Sequence, residues 1–313
     1  MAKTSLTKER APLARSFRWD FERRQLCLSF VLLLPAVVTV LVLIVYPLYQ
    51  ILEISFREGK VMNFARIGSL PLGWDNYARV LSDMRFWQST GTSALYVGGS
   101  VGAALLIGLG TALLLNQRLP GNRFFRTVLL LPWAVPGVIV SIMFLWIMDG
   151  SFGVFNAMLR ELGLITTDQA WFVDGRTALL AVMLPTIWKT YPLITLTILA
   201  ALQSIPKELY EAAEVDGVNR LQRFVFITWP GIQGATALVV MVSCLGVFRD
   251  VDVIFATTGG GPANATQTLS IYVYKEAFQY FRMGTAAAVG TLMILVSLLV
   301  TILLALLARR SKY

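Results

Sequence analysis

Long, nearly uninterrupted apolar runs dominate the chain, and polar residues gather between them. A helix of about 18 or more apolar residues is long enough to cross about 30 Å of hydrocarbon. Buried helices of soluble proteins are shorter and mostly amphipathic. The pattern therefore predicts an all-α polytopic membrane protein. Its six transmembrane helices are predicted at approximately Leu28–Leu48, Ser93–Leu115, Val128–Met148, Ala178–Leu202, Ala235–Ala256 and Thr285–Ala308.

The composition agrees with a lipid environment and excludes several classes of catalytic and metal site. Apolar residues make up 56% of the chain and charged residues only 14%, whereas a soluble protein is about one quarter charged. The chain has no histidine, which excludes Ser-His-Asp and Cys-His catalysis and His-ligated zinc. Cys27 and Cys244 both fall in apolar runs, so they predict neither a disulfide framework nor a metal site.

Basic residues predict the orientation rather than a nucleic-acid partner. The net charge is +9, but Lys and Arg are concentrated at the two ends and in the loops after the second and fourth runs. The positive-inside rule then places both termini in the cytoplasm. Residues 1–25 are predicted to be a cytoplasmic basic segment, either lying on the headgroups or free in solution. Residues 26–313 form the six-span domain, with a cytoplasmic loop at 203–231.

The loop 203–231 parses as two short helices. Gly217 ends the first helix, because a residue without Cβ adopts the left-handed conformation easily. Asn219 caps the second, with Gln222 three residues later in the spacing of a capping box. Pro230 is predicted to stop this helix before the fifth run.

The first of these helices carries a face that suits contact with a partner protein. Ala212 and Ala213 are small and allow close approach of a backbone, and the neighbouring Glu211 offers a negative charge to a basic groove. An amphipathic connector lying on the membrane surface would carry the same residues, and both interpretations remain open on physical grounds alone.

The loop contains a run of residues with the types and spacing of a known motif: Glu211-Ala212-Ala213, Gly217, Ile227 and Pro230. They resemble the EAA motif of bacterial ABC importer permeases, E-A-A-x3-G-x9-I-x-L-P, although Trp229 stands where that family usually has Leu. In the family this loop docks into a cytoplasmic ATPase subunit. The resemblance therefore implies an ATPase-coupling role for Tyr210, Glu211, Ala212, Ala213, Asp216 and Gly217.

Further segments resemble the carbohydrate-uptake branch of that family, the maltose, trehalose and glycerol-phosphate type. They include Leu131-Pro-Trp-Ala-Val-Pro136, Ala201-Leu-Gln-Ser-Ile-Pro206 and Thr258-Gly-Gly-Gly-Pro-Ala263. The Gly-Gly-Gly-Pro loop and the basic N-terminal tail are similar to the first permease of a heterodimeric pair. The resemblance implies a type I ABC importer permease fold in a bacterial inner membrane. It also implies several partners: a second homologous permease, two cytoplasmic ATPase subunits, an extracytoplasmic solute-binding protein, a sugar and membrane lipid.

Nucleotide chemistry is assigned to the partners, since the chain has no G-x4-G-K-[ST] motif. Its Gly59-Lys60 pair is followed by Val61. We expect no cofactor in this chain, with ATP and Mg bound by the ATPase subunits. The chain is therefore predicted to be a transport subunit and not an enzyme.

Charged and aromatic residues near the fourth and fifth runs predict a substrate pathway. Trp188, Lys189, Arg249 and Asp250 supply the aromatic face and the polar groups that bind sugars. Two alternatives stay open: Arg249 and Asp250 lie in water beyond the hydrocarbon, or Lys189 forms a structural pair with an Asp. The resemblance implies a sugar line at Lys189, Thr190, Leu193, Ser243, Gly246, Val247 and Asp250. This chain departs from maltose permease at Lys189 and Asp250, and at Val247, where that permease has an amide.

The predicted function is uptake of a sugar, a disaccharide such as trehalose or maltose, driven by ATP. Glycerol-3-phosphate is the alternative substrate, because Lys189 and Arg249 offer two cations to a phosphate. An ion-coupled secondary transporter would leave the EAA loop unexplained. An intramembrane enzyme would need a catalytic pair that a chain without histidine does not readily supply.

Overall fold

The computed structural model describes residues 28–57, 70–117 and 120–310. The chain divides into two compact units, one up to Glu53 and one from Ile54 onward. The predicted basic segment 1–25 lies outside the described residues, as do the Gly59-Lys60 pair and the last three residues.

The described part of the first unit is helical, and its apolar side chains are exposed. Five helices of the described chain are long and apolar enough to cross a membrane, and a bent pair makes a sixth candidate. The spans, numbered one to six, are Leu28–Ser55, Met84–Leu115, the pair Asn122–Ala134 and Gly137–Ile147, Ala178–Gln203, Arg220–Arg249 and Met283–Leu306. No strand occurs among the described residues, where the sole bridge joins Arg57 and Leu72. The predicted all-α, six-span class is confirmed.

Shorter helices lie between the spans. They are Asp75–Ser82, Val154–Glu161, Lys207–Val215, Asp252–Thr257 and Leu269–Tyr274. Lys207–Val215 follows span four and precedes span five, so we call it the loop helix.

Span three is not the single straight helix predicted at Val128–Met148. Its two halves meet at an angle of 96°. The break falls at Val135 and Pro136, both with extended ψ angles, 132° and 141°. A residue before proline is pushed out of the helical region by the proline ring. The break turns the first half of the span toward span four.

Span five differs from its prediction at both ends. Its helix continues through Pro230, so the predicted stop at this proline is wrong. A π-turn, Phe224–Thr228, precedes Trp229, and Pro230 therefore lies in the first turn of the following α-helix, where its missing N–H is tolerated. The helix ends at Arg249 rather than continuing to Ala256.

The end of span five is fixed by Asp250. Its backbone is extended, with ψ 127°, and its Oδ1 accepts a hydrogen bond from the N–H of Asp252 at 3.0 Å. An aspartate that bonds to backbone two residues onward competes with helix continuation. The chain then starts the short helix Asp252–Thr257, so the predicted fifth run contains two helices.

Spans two, four and five pack as the centre of the second unit. Gly108 of span two lies against span four so closely that a Cβ there would be 2.8 Å from Ile194 Cγ2. Ile194 and Ile198 are fully buried in the same apolar cluster, which also contains Ile232 and Val239 of span five. This packing holds spans four and five side by side and positions the polar residues that follow.

Candidate functional site

Spans four and five border an open cleft of about 240 Å³. Its lining combines aromatic, hydroxyl, charged and apolar side chains. The lining residues are Trp133, Thr186, Lys189, Thr190, Leu193, Val242, Ser243, Gly246, Val247 and Asp250. Seven of the nine residues predicted for the substrate pathway are therefore brought together at this cleft.

Span four presents Lys189 and Thr190 to the cleft from a helix that contains two prolines, Pro185 and Pro192. The helix stays continuous from Ala178 to Gln203 despite them. Thr190 Oγ1 donates a hydrogen bond to the Thr186 carbonyl at 2.7 Å. That bond fixes the hydroxyl hydrogen and leaves the hydroxyl oxygen available as an acceptor.

The ammonium of Lys189 lies where spans three and four approach the short helix Asp252–Thr257. A Cβ on Gly137 would be 3.4 Å from Lys189 Nζ and 3.5 Å from Asp252 Oδ2. The ammonium also interacts electrostatically with Asp250. No described residue accepts a hydrogen bond from Lys189 or pairs with it within 4.0 Å. A closed structural Lys–Asp pair is thus absent from the described part of the chain, and three donor positions stay available.

Asp250 and Ser243 supply the polar groups of span five. The Asp250 backbone is fixed, since its carbonyl accepts a hydrogen bond from Ser270 Oγ at 3.0 Å. Ser243 is 5% exposed, and its hydroxyl has no hydrogen-bond partner among the described residues. A buried hydroxyl without a partner is costly. The Ser243 hydroxyl therefore lies buried in the cleft wall with its hydrogen-bonding capacity unused by the described residues.

Two predicted residues, Trp188 and Arg249, do not line the cleft. The Trp188 ring packs edge to face on Phe144, with ring centroids 6.1 Å apart. Arg249 is exposed, and its Nε donates a hydrogen bond to the Leu245 carbonyl at 3.3 Å. The pair of cations expected for a phosphate is therefore not formed at this site.

The aromatic residue of the cleft is Trp133, which was not among the residues predicted for the substrate pathway. It belongs to the first half of span three, and the break at Pro136 turns this half onto span four. The signal was present in the sequence, because a proline three residues after Trp133 marks the break. Thr186 was also missed, although it lies one helical turn before Thr190.

The loop helix ends at the glycine that the sequence predicts. Gly217 has φ +68°. The Val218 N–H donates to the Ala213 carbonyl at 3.0 Å, and the Gly217 N–H donates to the Glu214 carbonyl at 3.2 Å. These two bonds form a Schellman motif, which satisfies the last carbonyls of the helix.

The next helix begins with the predicted capping box. Asn219 Oδ1 accepts from the Gln222 N–H at 2.8 Å, and Gln222 Oε1 accepts from the Asn219 N–H at 3.1 Å. The helical direction therefore changes over a few residues whose own backbone groups are satisfied locally. These bonds stabilise the turn from within the segment.

The residues predicted to couple to an ATPase fall into two groups. Glu211, Ala212, Asp216 and Gly217 are exposed. Ala213 is 6% exposed, and Tyr210 is half-buried with its hydroxyl 3.1 Å from Thr228 Oγ1. The exposed group is a small surface with negative charge, and large apolar side chains flank it: Leu209, Val215 and Leu221. A protein groove or a membrane surface suits this face equally.

Comparison with known families and sequences gives a consistent result. Residues 104–313 match the family described as binding-protein-dependent transport system inner membrane component. The chain is 33% identical to the sulfoquinovosyl glycerol transport system permease protein SmoG of Agrobacterium fabrum, over 96% of each chain. It is 34% identical to the trehalose/maltose transport system permease protein MalF of Thermococcus litoralis, over 88% of this chain and 91% of that protein.

Solved structures agree on the fold. A chain of a bacterial ABC transporter involved in import of the acidic polysaccharide alginate superposes with a TM-score of 0.77. The match covers 93% of the present chain and 98% of the alginate transporter chain, at 22% sequence identity. At this identity the likeness concerns the arrangement of helices.

Proposed function

Since the chain belongs to the inner-membrane components of binding-protein-dependent transport systems, we propose that it is the permease subunit of an ATP-driven importer for a disaccharide such as trehalose or maltose. The observation that carries this proposal is the cleft between spans four and five. It offers one indole, one ammonium, one carboxylate and several hydroxyl groups at a single opening.

These groups suit a neutral, polyhydroxylated ligand. A sugar presents an apolar face to an aromatic ring such as Trp133 and hydroxyl groups to its surroundings. Lys189 donates hydrogen bonds to those hydroxyls and Asp250 accepts them, and bonds to charged partners are the stronger ones. An anion such as glycerol-3-phosphate would meet only one cleft cation and would be repelled by Asp250. The cleft therefore favours a disaccharide over glycerol-3-phosphate.

The proposed assembly has a second homologous permease, two ATPase subunits and an extracytoplasmic binding protein, in a bacterial inner membrane with both termini cytoplasmic. The loop helix docks through Glu211 and Ala212 into an ATPase subunit that binds ATP and Mg. Closure of the ATPases moves the loop helix, and the spans rock to open the cleft to one side and then the other. Coupling requires different contacts in the two states, because a ligand shifts an equilibrium only through differential affinity.

Reconstituted proteoliposomes test this proposal. The permease pair, the ATPases and the binding protein are expected to import labelled trehalose or maltose only when ATP is inside. A matched arm replaces ATP with a proton or sodium gradient. Uptake driven by the gradient alone, without ATP or binding protein, would support an ion-coupled secondary transporter instead.

A substrate panel separates the sugar classes. It contains trehalose, maltose, glycerol-3-phosphate and sulfoquinovosyl glycerol. The last compound is included because the Agrobacterium fabrum relative is named as a permease for it. Neutral disaccharides are expected to compete with each other for uptake. Preferential uptake of the sulfonated or phosphorylated compound would show that the Lys189 charge outweighs that of Asp250.

A further inference from the structure

Span five links the loop helix to the cleft, but its helix contains one irregular turn. It is continuous over 30 residues from Arg220 to Arg249, about 45 Å at 1.5 Å per residue. The π-turn Phe224–Thr228 lies near its start, and Pro230 shortly after it contributes no N–H to the helix. Wide turns and prolines are where helices bend. A displacement of the helix at Arg220 would therefore be lost in part by bending at this turn before it reached Ser243.

Two side-chain interactions join the loop helix to span five, one before the π-turn and one at its end. Before the turn, Glu214 Oε1 accepts a charge-assisted hydrogen bond from Arg223 Nη1 at 2.8 Å. At its last residue, the hydroxyl of Tyr210 lies 3.1 Å from Thr228 Oγ1. The first is an exposed ion pair, with the Glu214 side chain 68% exposed, and such pairs contribute little. The second involves Thr228, which is buried.

A packing contact supports the bond to Thr228. A Cβ placed on Gly231 would be 2.6 Å from Ile205 Cδ1, so the chain leading into the loop helix presses on span five just past the π-turn. Thr228 and Gly231 thus both contact the loop-helix region where the regular part of span five begins. From Thr228 the helix reaches Ser243 of the cleft after 15 residues, about 22 Å.

We propose that Tyr210 is a positioning residue: its hydrogen bond to Thr228 transmits displacement of the loop helix past the π-turn into the part of span five that carries Ser243 and Gly246. This rests on the proposed function. Tyr210 acts here through its contact inside the permease, in addition to any contact of its exposed neighbours with an ATPase.

The test measures sugar molecules imported per ATP hydrolysed by the complete transporter in proteoliposomes with its binding protein. Thr228→Val keeps the shape of the side chain and removes the hydroxyl. We expect the ratio to fall about fivefold, the scale of one lost neutral hydrogen bond in a two-state equilibrium. Thr228→Val also removes a long bond of 3.5 Å from Thr228 Oγ1 to the Arg223 carbonyl, which Tyr210→Phe leaves in place. Tyr210→Phe should therefore reproduce most of the loss, and the double variant should be no worse than Thr228→Val alone, since the bond that Tyr210→Phe removes is already absent there.

Thr228→Ser restores a hydroxyl and is expected to keep the ratio of the unmodified complex, which a merely structural loss of packing would not. Arg223→Gln breaks the exposed pair before the π-turn and should change the ratio by less than about twofold. A normal ratio in Thr228→Val, or additive losses in the double variant, would overturn the inference alone. A wild-type complex that imports no sugar would overturn the proposed function and this inference together.

Discussion

In the turn that follows the loop helix, backbone groups are bonded within the segment, through the Schellman motif at Gly217 and the capping box at Asn219. In the cleft, by contrast, Lys189 and Ser243 have no hydrogen-bond partner among the described residues. In the first region the backbone hydrogen bonds of the turn are satisfied locally, and the exposed side chains form a surface. The second is an open cleft in which the Lys189 ammonium and the Ser243 hydroxyl have no protein partner among the described residues, and under the proposed function the sugar supplies that partner. The difference predicts that substitutions in the two regions fail in different ways.

The largest effect is expected from Glu211→Lys in the loop helix. Glu211 is exposed, so membrane insertion should survive, while under the proposed function the reversed charge would oppose the basic groove of an ATPase subunit. Like charges at an interface cost several kcal/mol, and ATP-driven uptake should fall at least about a hundredfold. The measurement is ATPase co-purification together with uptake. Glu161→Lys, the same reversal on an exposed glutamate of another helix, controls for charge alone and should co-purify normally. Normal co-purification and uptake in Glu211→Lys would contradict the docking role.

Lys189→Ala is expected to damage the cleft without disturbing assembly. A hydrogen bond from a charged donor contributes about 1.5–3 kcal/mol, so the rate of sugar uptake at saturating binding protein should fall roughly ten- to a hundredfold. ATPase co-purification should not change. Arg249→Ala is the matched control, because Arg249 bonds to its own helix and does not line the cleft. If both substitutions impair uptake equally, Arg249 also belongs to the substrate pathway. If Lys189→Ala does not change uptake, Lys189 does not contact the sugar.

The two regions also differ in how far the sequence predicts them. Gly217, Asn219 and Gln222 act through bonds to residues within four positions, so their types and spacing are sufficient to predict the turn. The existence of the spans is also predictable from a local property, the length of each apolar run. Two features differed from the prediction: span three is broken at Pro136, and several helix ends moved. One such end is at Asp250, whose side chain accepts a hydrogen bond from the backbone two residues onward.

The composition of the cleft depends on tertiary contacts that run length does not encode. Trp133 reaches it because Pro136 breaks span three by 96°, and an uninterrupted apolar run hides that break. Pro230, by contrast, does not end its helix. The π-turn before it places this proline in a first helical turn, where its missing N–H is tolerated. A proline in an apolar run therefore marks a possible break, and the conformation of the neighbouring backbone determines whether the helix bends, ends or continues there.

A pair of tryptophans sharpens the assignment of the cleft. Trp133→Ala removes the ring that lines it, and we expect the rate of sugar uptake at saturating binding protein to fall about three- to tenfold, from lost stacking. Trp188→Ala removes a ring that packs on Phe144 and should lower thermal stability with little change in that rate. Uptake kinetics and thermal unfolding in detergent separate the two. The reverse pattern would move the aromatic face of the site to Trp188.

The smallest effects come from two glycines, one in each region, that should respond with opposite signs. Gly217 has φ +68° with open space around it, so Gly217→Ala costs only the left-handed backbone strain, about 1 kcal/mol. Gly246 lies inside span five, also with open space, where alanine favours the helix by up to about 1 kcal/mol. Thermal unfolding should therefore fall by a few degrees for Gly217→Ala and should not fall for Gly246→Ala. Gly246→Ala should instead weaken sugar uptake, because its methyl group enters the cleft; a loss of stability there with normal uptake would contradict the view of the cleft as a ligand-completed opening.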